Sequence, residues 1–272
     1  MNEKKNTEQT KTTSGAGVPP SGRKGGGSRV MEIFGHICAL WAAIVFIFTM
    51  FIFLIPFFLF CYFLPEPKRT DRFIVFGRIW MNTFLTLVGC PLKIKNKEYF
   101  KKGETYIVVC NHNALIDVPV SSPGIPGGNK TIAKIEMSRI PLFGLIYKAG
   151  SVLVDRKSEA SRRESYLRMK EVLNMGLHMC IYPEGTRNKT NQPLKSFHDG
   201  AFRLAIDTKK PIIPAIILNS RKVNPPSKTF FILPHKLGMD FLEPITIQKE
   251  DTVDSLKQKV FEIMWKYYVD HS

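Results

Sequence analysis

Cysteine is scarce in this chain of 272 residues, and the five present (Cys38, Cys61, Cys90, Cys110, Cys180) form no Cys-x-x-Cys pair. An odd, scattered set argues against a disulfide framework or a zinc site. Each thiol sits among apolar neighbours, as a reduced buried side chain does. No Gly-x-Ser-x-Gly elbow occurs, which argues against a serine lipase. The stretch 124–131 falls short of a phosphate loop, because Asn129 stands where a glycine is required. Acidic residues are few, with 23 Asp and Glu against 39 Lys and Arg and a formal charge of +16. Such a surface attracts anions: nucleic acid, an anionic leaflet, or a phosphorylated or acidic-protein-bound substrate. A membrane-tethered nucleic-acid-binding protein would need an aromatic-and-basic stripe or a known binding motif. Neither occurs, so no nucleic-acid partner is expected.

Long apolar runs, in contrast, are present. Residues 1–29 are polar and rich in Gly, Ser, Thr and Lys, and read as a disordered basic tail. Phe34 to Leu64 then runs almost without charge. One bilayer span needs roughly 20 apolar residues, so this run is long for a single crossing and short for two. Basic residues flank it on both sides, at Arg23, Lys24 and Arg29 and at Lys68, Arg69 and Arg72. A re-entrant helix kinked near Pro56, with both ends cytosolic, satisfies both flanks; a tilted single span is the alternative. Residues 73–88 place Arg78 and Asn82 among apolar neighbours, which predicts an interfacial amphipathic helix. The expected organisation is a tail over 1–29, a membrane-embedded or interfacial helical segment over 30–90, and a globular domain over 91–272.

From Lys93 the pattern alternates between strands and helices. Strands are expected over 105–110, 130–135, 151–154, 178–182, 212–218 and 229–233. Helices are expected over 141–148, from a capping box at Ser161–Glu164 to Gly176, and over 201–207 and 253–268. This predicts an α/β fold with a mixed, mostly parallel central sheet flanked by helices.

Two blocks carry candidate chemistry. His112 and Asp117 are five residues apart, so they point to opposite faces of a strand and diverge on a continuous helix. They meet only if the chain turns between them, and the strand ending at Cys110 supplies that turn. An imidazole held there by a carboxylate is oriented to take a proton from a hydroxyl. The second block, Pro183-Glu184-Gly185-Thr186-Arg187, is a turn whose arginine offers a planar fork to phosphate. Glu184, close in sequence to Arg187, is expected to position that side chain. Lys134 with Glu136, and Asp155 with Arg156, add charged pairs at two further strand ends. Cys110 is explained by its apolar strand rather than as a nucleophile.

Together these blocks resemble the 1-acyl-sn-glycerol-3-phosphate acyltransferase family. Asn111, His112 and Asp117 match its Asn-His-x-x-x-x-Asp motif, Gly150 to Arg156 its glycine-led strand ending in Asp-Arg, and 183–187 its Pro-Glu-Gly-Thr-Arg block. Pro211 to Ala215 match its proline-rich apolar strand; Lys134, Glu136, Pro141 and Gly144, and Gly200-Ala201-Phe202, also fit. The resemblance spans roughly 93–218. Ala114, the prolines at 119 and 123, and His198-Asp199 depart from the pattern and bear on acceptor identity more than on reaction type. The resemblance implies that His112, oriented by Asp117, deprotonates the sn-2 hydroxyl of lysophosphatidic acid. The resulting alkoxide attacks an acyl-CoA or acyl-carrier-protein thioester, giving phosphatidic acid. Arg187, Lys134 and Arg156 would hold the phosphate, Glu184 and Thr186 would order the turn, and Asn111 would line the substrate. An oxyanion role falls to backbone N–H groups near Gly185. No cofactor beyond the thioester co-substrate and no metal is implied. The implied place is the bacterial inner membrane, with the catalytic domain on the cytosolic face against an anionic leaflet. Another lysolipid acceptor, such as an amino-acid lipid or lipid A precursor, would use the same chemistry.

Overall fold

The computed structural model describes residues 26–272, so most of the tail expected over 1–29 lies outside the described residues. The apolar run forms one 35-residue helix, α1 (Gly26–Phe60), about 52 Å long at 1.5 Å per residue. It continues through Pro56. The chain reverses farther on, across 61–67, and returns as α2 (Lys68–Leu87). The two helices form a hairpin closed by aromatic packing: the Phe53 and Trp80 rings stack at 4.7 Å, and the Trp80 indole donates to Thr49 Oγ1 at 2.9 Å.

Glu66, in the reversal, ties the hairpin to the rest of the protein. One carboxylate oxygen accepts from Lys130 Nζ at 2.8 Å and from Arg69, the other from Thr70. Burial alone would raise its pKa, but these donors outweigh burial and bring it to about 2.

After the hairpin come β1 (Leu92–Lys95), β2 (Ile107–Cys110), α3 (Asp117–Gly124), β3 (Asn129–Lys134), α4 (Phe143–Ala149), β4 (Ser151–Val154), α5 (Glu159–Asn174) and β5 (His178–Ile181). The chain continues through α6 (Gly200–Thr208), β6 (Ile212–Leu218), α7 (Ser220–Val223), β7 (Leu237–Phe241) and α8 (Val253–His271). The sheet order is β1-β7-β6-β2-β5-β3-β4. Five neighbouring strands run parallel, and the β7–β1 pair joins through an antiparallel β6–β7 contact. The expected mixed, mostly parallel sheet flanked by helices is therefore the observed one.

Side-chain alternation along the strands divides the core in two. Val108, Cys110, Ile213, Ala215 and Ile217 pack under the α1–α2 hairpin and α3. Ile107, Val109, Ile212 and Ile216 pack against α5, α6 and α8 through residues such as Leu173, Phe202 and Val260.

Two local expectations are corrected. The strand expected over 229–233 is irregular; its apolar residues instead seat α1, with Ile232 N donating to Gly35 O at 3.1 Å and the Phe231 ring leaving no room for a Cβ on Gly35. The strand that pairs with β6 is β7. Helix α5 is capped by Ser158, whose hydroxyl accepts from Ser161 N, three residues before the expected start. Arg78 on α2 donates to the carbonyls of Pro123 and Ile125 at 2.8 and 3.0 Å, where a cation suits the C-terminal end of α3.

Candidate active site

The site lies where the parallel strands end, the position at which open α/β sheets hold ligands. Strand β2 ends at Cys110, and Asn111 extends its pairing by one step with a side chain. Asn111 Oδ1 accepts from Ile217 N at 2.7 Å, and its Nδ2 donates to Ile217 O at 3.0 Å. Both polar groups of this fully buried side chain are thus used by β6. The expectation that Asn111 contacts substrate is replaced by one in which it fixes where β2 ends.

The chain then turns, as the His112–Asp117 spacing requires. Asp117 opens α3, fully buried, and its Oδ2 is the hub of the turn. That oxygen accepts from Asn113 N at 2.6 Å and Ala114 N at 2.7 Å, and lies 2.9 Å from His112 Nδ1. An oxygen already accepting two N–H groups acts as an acceptor toward the ring as well, so Nδ1 is the donor and Nε2 is left as the outward nitrogen. Among the described residues nothing bonds Nε2, and His112 keeps a 16% exposed side chain. This is the arrangement of a general base and its orienting carboxylate.

Glu184 lies on the turn after β5 and is 1% exposed. It does not pair with Arg187 as expected. Its Oε1 accepts from His112 N at 2.7 Å and its Oε2 from Lys195 N at 2.9 Å. Burial pushes this carboxyl above its usual range, opposed by those two backbone donors. Asn188 completes the join, its N–H donating to His112 O at 2.6 Å. The His112 backbone is therefore held on both its N–H and its carbonyl by the second block.

Gly185 has φ +70°, and the His198 ring crowds the place where a Cβ would stand. Only glycine suits this turn. The N–H groups expected to serve an oxyanion are committed inside it: Gly185 N donates to Tyr182 O at 3.1 Å and Thr186 N to Glu184 O at 2.8 Å. The Thr186 hydroxyl accepts from Lys195 Nζ at 2.8 Å.

Arg187 is exposed and makes no ion pair or hydrogen bond among the described residues. It lines a small recess of about 20 Å³ together with Asn113, Ala114, Lys189, Asn224 and Lys228. Three cations line this recess directly beside the His112 turn, and one of them, Lys228, is paired with Glu32 at 3.6 Å. Asn224 also accepts from Leu115 N at 3.2 Å, tying the β6–β7 connection to the His112–Asp117 turn. Sequence reasoning missed Lys189, Asn224 and Lys228. Lys189 was within reach as a cation two residues past the motif, whereas the other two sit in a connection that carries no motif.

Lys134 and Arg156 lie farther along the same sheet edge. Lys134 ends β3 and Arg156 follows β4, two and three strands from β2 in the sheet order. At about 4.8 Å per strand, their backbones are roughly 10 and 15 Å from that of the His112 strand. The structure thus brings His112, Asp117, Glu184, Gly185, Thr186 and Arg187 together and sets Lys134 and Arg156 apart.

Comparison with known proteins agrees with this geometry. The Acyltransferase family profile matches residues 91–218. A 1-acyl-sn-glycerol-3-phosphate acyltransferase of Cocos nucifera is 29% identical over 211 residues, covering 76% of this chain and 67% of that protein. One of Limnanthes douglasii is 30% identical over 203 residues, covering 72% and 69%. The crystal structure of the 1-acyl-sn-glycerophosphate (LPA) acyltransferase, PlsC, from Thermotoga maritima superposes with a TM-score of 0.74. It does so at 20% identity over 88% of this chain and 97% of that one, which shows a shared fold. With its two motif blocks joined as described and relatives of this kind over most of its length, the chain belongs to the 1-acyl-sn-glycerol-3-phosphate acyltransferase family.

Proposed function

We propose that this enzyme transfers the acyl group of a thioester, carried by coenzyme A or acyl carrier protein, to the sn-2 hydroxyl of lysophosphatidic acid. The product is phosphatidic acid. The observation that carries this reading is the His112 Nδ1–Asp117 Oδ2 bond at 2.9 Å beside the cation-lined recess. His112 Nε2 takes the hydroxyl proton as the oxygen attacks the thioester carbonyl carbon. Asp117 stabilises the imidazolium formed. Collapse of the tetrahedral intermediate breaks the carbon–sulfur bond, and the imidazolium returns its proton to the departing thiolate. Arg187, with Lys189 and Lys228 beside it, faces the acceptor phosphate, and Lys134 and Arg156 extend the cationic edge.

The long helix supports action at a membrane surface. Its inner face, including Ala42, Val45, Phe53 and Phe57, is buried in the shared core along the hairpin. Its outer face exposes Ile33, Phe34, Ile37, Ile44, Phe48 and Ile55. Crossing a bilayer upright would carry the flanking domain into hydrocarbon, so the helix lies in the plane of the leaflet with its outer face immersed. Four cysteines from Cys61 to Cys180 are free thiols, which fits a domain on the cytosolic side.

The test is an acceptor and donor panel run on wild type and two variants in vesicles. His112→Ala should lower kcat at least about 100-fold. Arg187→Ala should raise KM for lysophosphatidate and leave the thioester KM unchanged. Wild-type turnover in His112→Ala, or an unmoved acceptor KM in Arg187→Ala, removes the corresponding role.

A further inference from the structure

The face of the His112 ring is covered by an aromatic side chain that neither block's chemistry calls for. The Tyr182 ring is stacked on the imidazole, with centroids 4.4 Å apart and planes 30° from parallel. Tyr182 is itself buried, and its hydroxyl is hydrogen-bonded to Ser121 Oγ at 2.5 Å. Ser121 lies four residues after Asp117, on the same side of α3. One helix turn thus holds the carboxylate that fixes the edge of the imidazole and the hydroxyl that anchors the ring beneath its face. Tyr182 is also two residues before Glu184, which grips the His112 backbone N–H.

We infer that Tyr182 is a positioning residue for the base, fixing the plane of the imidazole and favouring the imidazolium through its π face as the acceptor hydroxyl loses its proton. This rests on the proposal that His112 is the base. The physical reasoning concerns the difference between two charge states. A bond to Asp117 fixes one edge of the imidazole but leaves the ring free to rock about that bond, and a stacked aromatic removes this freedom. The negative face of a π system attracts a cation within about 6 Å of the ring centroid and is nearly indifferent to a neutral ring. The attraction therefore grows as the proton moves to Nε2, and an interaction stronger in the transition state than in the ground state raises kcat rather than affinity. A tyrosine present only to fill the core would be replaceable by any apolar side chain of similar size, with no effect specific to turnover.

The experiment compares full-length enzyme in vesicles carrying Tyr182→Phe, Tyr182→Leu, or pentafluorophenylalanine incorporated at position 182. The fluorinated ring keeps the shape of phenylalanine and reverses the sign of its π face. We expect Tyr182→Phe to stay within about threefold of wild-type kcat. The fluorinated ring and Tyr182→Leu should lower kcat by about 3- to 30-fold, with acceptor KM within twofold. Equal kcat for the phenylalanine and fluorinated variants overturns the proposal, and so does an effect confined to KM. Should Tyr182→Leu fail to fold, the phenylalanine pair decides alone. A parallel His112→Ala variant separates the two readings. If it is inactive while the ring series is flat, only the Tyr182 role fails; if it turns over normally, the base assignment fails and this inference with it.

Discussion

The Glu184 carboxylate accepts the backbone N–H of His112 at 2.7 Å, joining two sequence blocks 72 residues apart inside the protein. Its other oxygen holds Lys195 N, so both oxygens are engaged by backbone N–H groups rather than by Arg187. Glu184→Gln places an amide NH2 against one of these two N–H groups. A buried donor without an acceptor costs about 1–3 kcal/mol. The variant should therefore melt several degrees lower and turn over more slowly, because the loop carrying His112 loosens. Arg187→Ala, at an exposed position, should leave the melting temperature unchanged. If thermal unfolding shows the two variants equally stable, the clamp has no structural weight.

Asp117→Asn tests the hub of the same loop. Three N–H groups converge on one carboxylate oxygen, and Oδ1 is buried without a partner among the described residues. An asparagine carbonyl can replace the accepting oxygen, but its NH2 then occupies the unpartnered side and no negative charge faces the imidazolium. We expect kcat to fall about 10²- to 10⁴-fold with a folded protein by circular dichroism. A loss under tenfold would show that the charge of Asp117 is dispensable.

The geometry of the first block was legible because its spacing admits few arrangements. His112 and Asp117 need a turn between them, and the run ending at Cys110 marks where a strand must stop. Strands β4 and β6 were legible for a similar reason, since short apolar runs bounded by Gly150 and Pro211 leave little choice of limits. The role of Glu184 was not legible. Sequence proximity pairs it with Arg187, but its partners are two backbone N–H groups, which carry no signature in side-chain chemistry. Strand β7 was hidden because Leu237–Phe241 contains a glycine and Asp240, whereas Phe230-Phe231-Ile232 looks more strand-like. Asp240 tolerates burial because Lys95 Nζ at 3.0 Å and the Tyr267 hydroxyl at 2.8 Å satisfy it, and both partners are distant in sequence. Lys228 escaped notice because only the fold carries its loop to the recess.

The outer face of α1 offers a test that leaves the His112 site untouched. Phe48 is 66% exposed and Ile55 63% exposed. Changing both to Asp places two charges where the proposed leaflet contact lies. Vesicle co-sedimentation should fall at least tenfold, since each charge moved into hydrocarbon costs on the order of 2–3 kcal/mol. Turnover of detergent-dispersed substrate should remain within about twofold of wild type. Undiminished co-sedimentation would place the membrane contact elsewhere.

Acid should destabilise the fold through His178, at the start of β5 and the opposite end of the strands from His112. His178 is 7% exposed, packs against the Phe100 and Tyr106 rings, and accepts from Tyr106 N through Nδ1 at 3.0 Å. That bond requires Nδ1 to be unprotonated, and burial lowers the pKa from 6.5 to about 4. Above pH 6.5 the ring is neutral in both the folded and the unfolded chain, so stability is insensitive to its titration. Between 6.5 and 4 the unfolded chain takes up a proton that the folded one refuses, and stability falls with pH. A tenfold difference in proton affinity between the two states is worth about 1.4 kcal/mol, so the loss accumulates to about 3 kcal/mol by pH 4. His178→Asn keeps an oxygen able to accept from Tyr106 N but does not titrate. Denaturant unfolding at pH 7 and pH 4.5 should therefore show a smaller acid loss in the variant than in wild type. Equal losses would mean that His178 is already protonated in the folded protein, contrary to the acceptor role its geometry gives it.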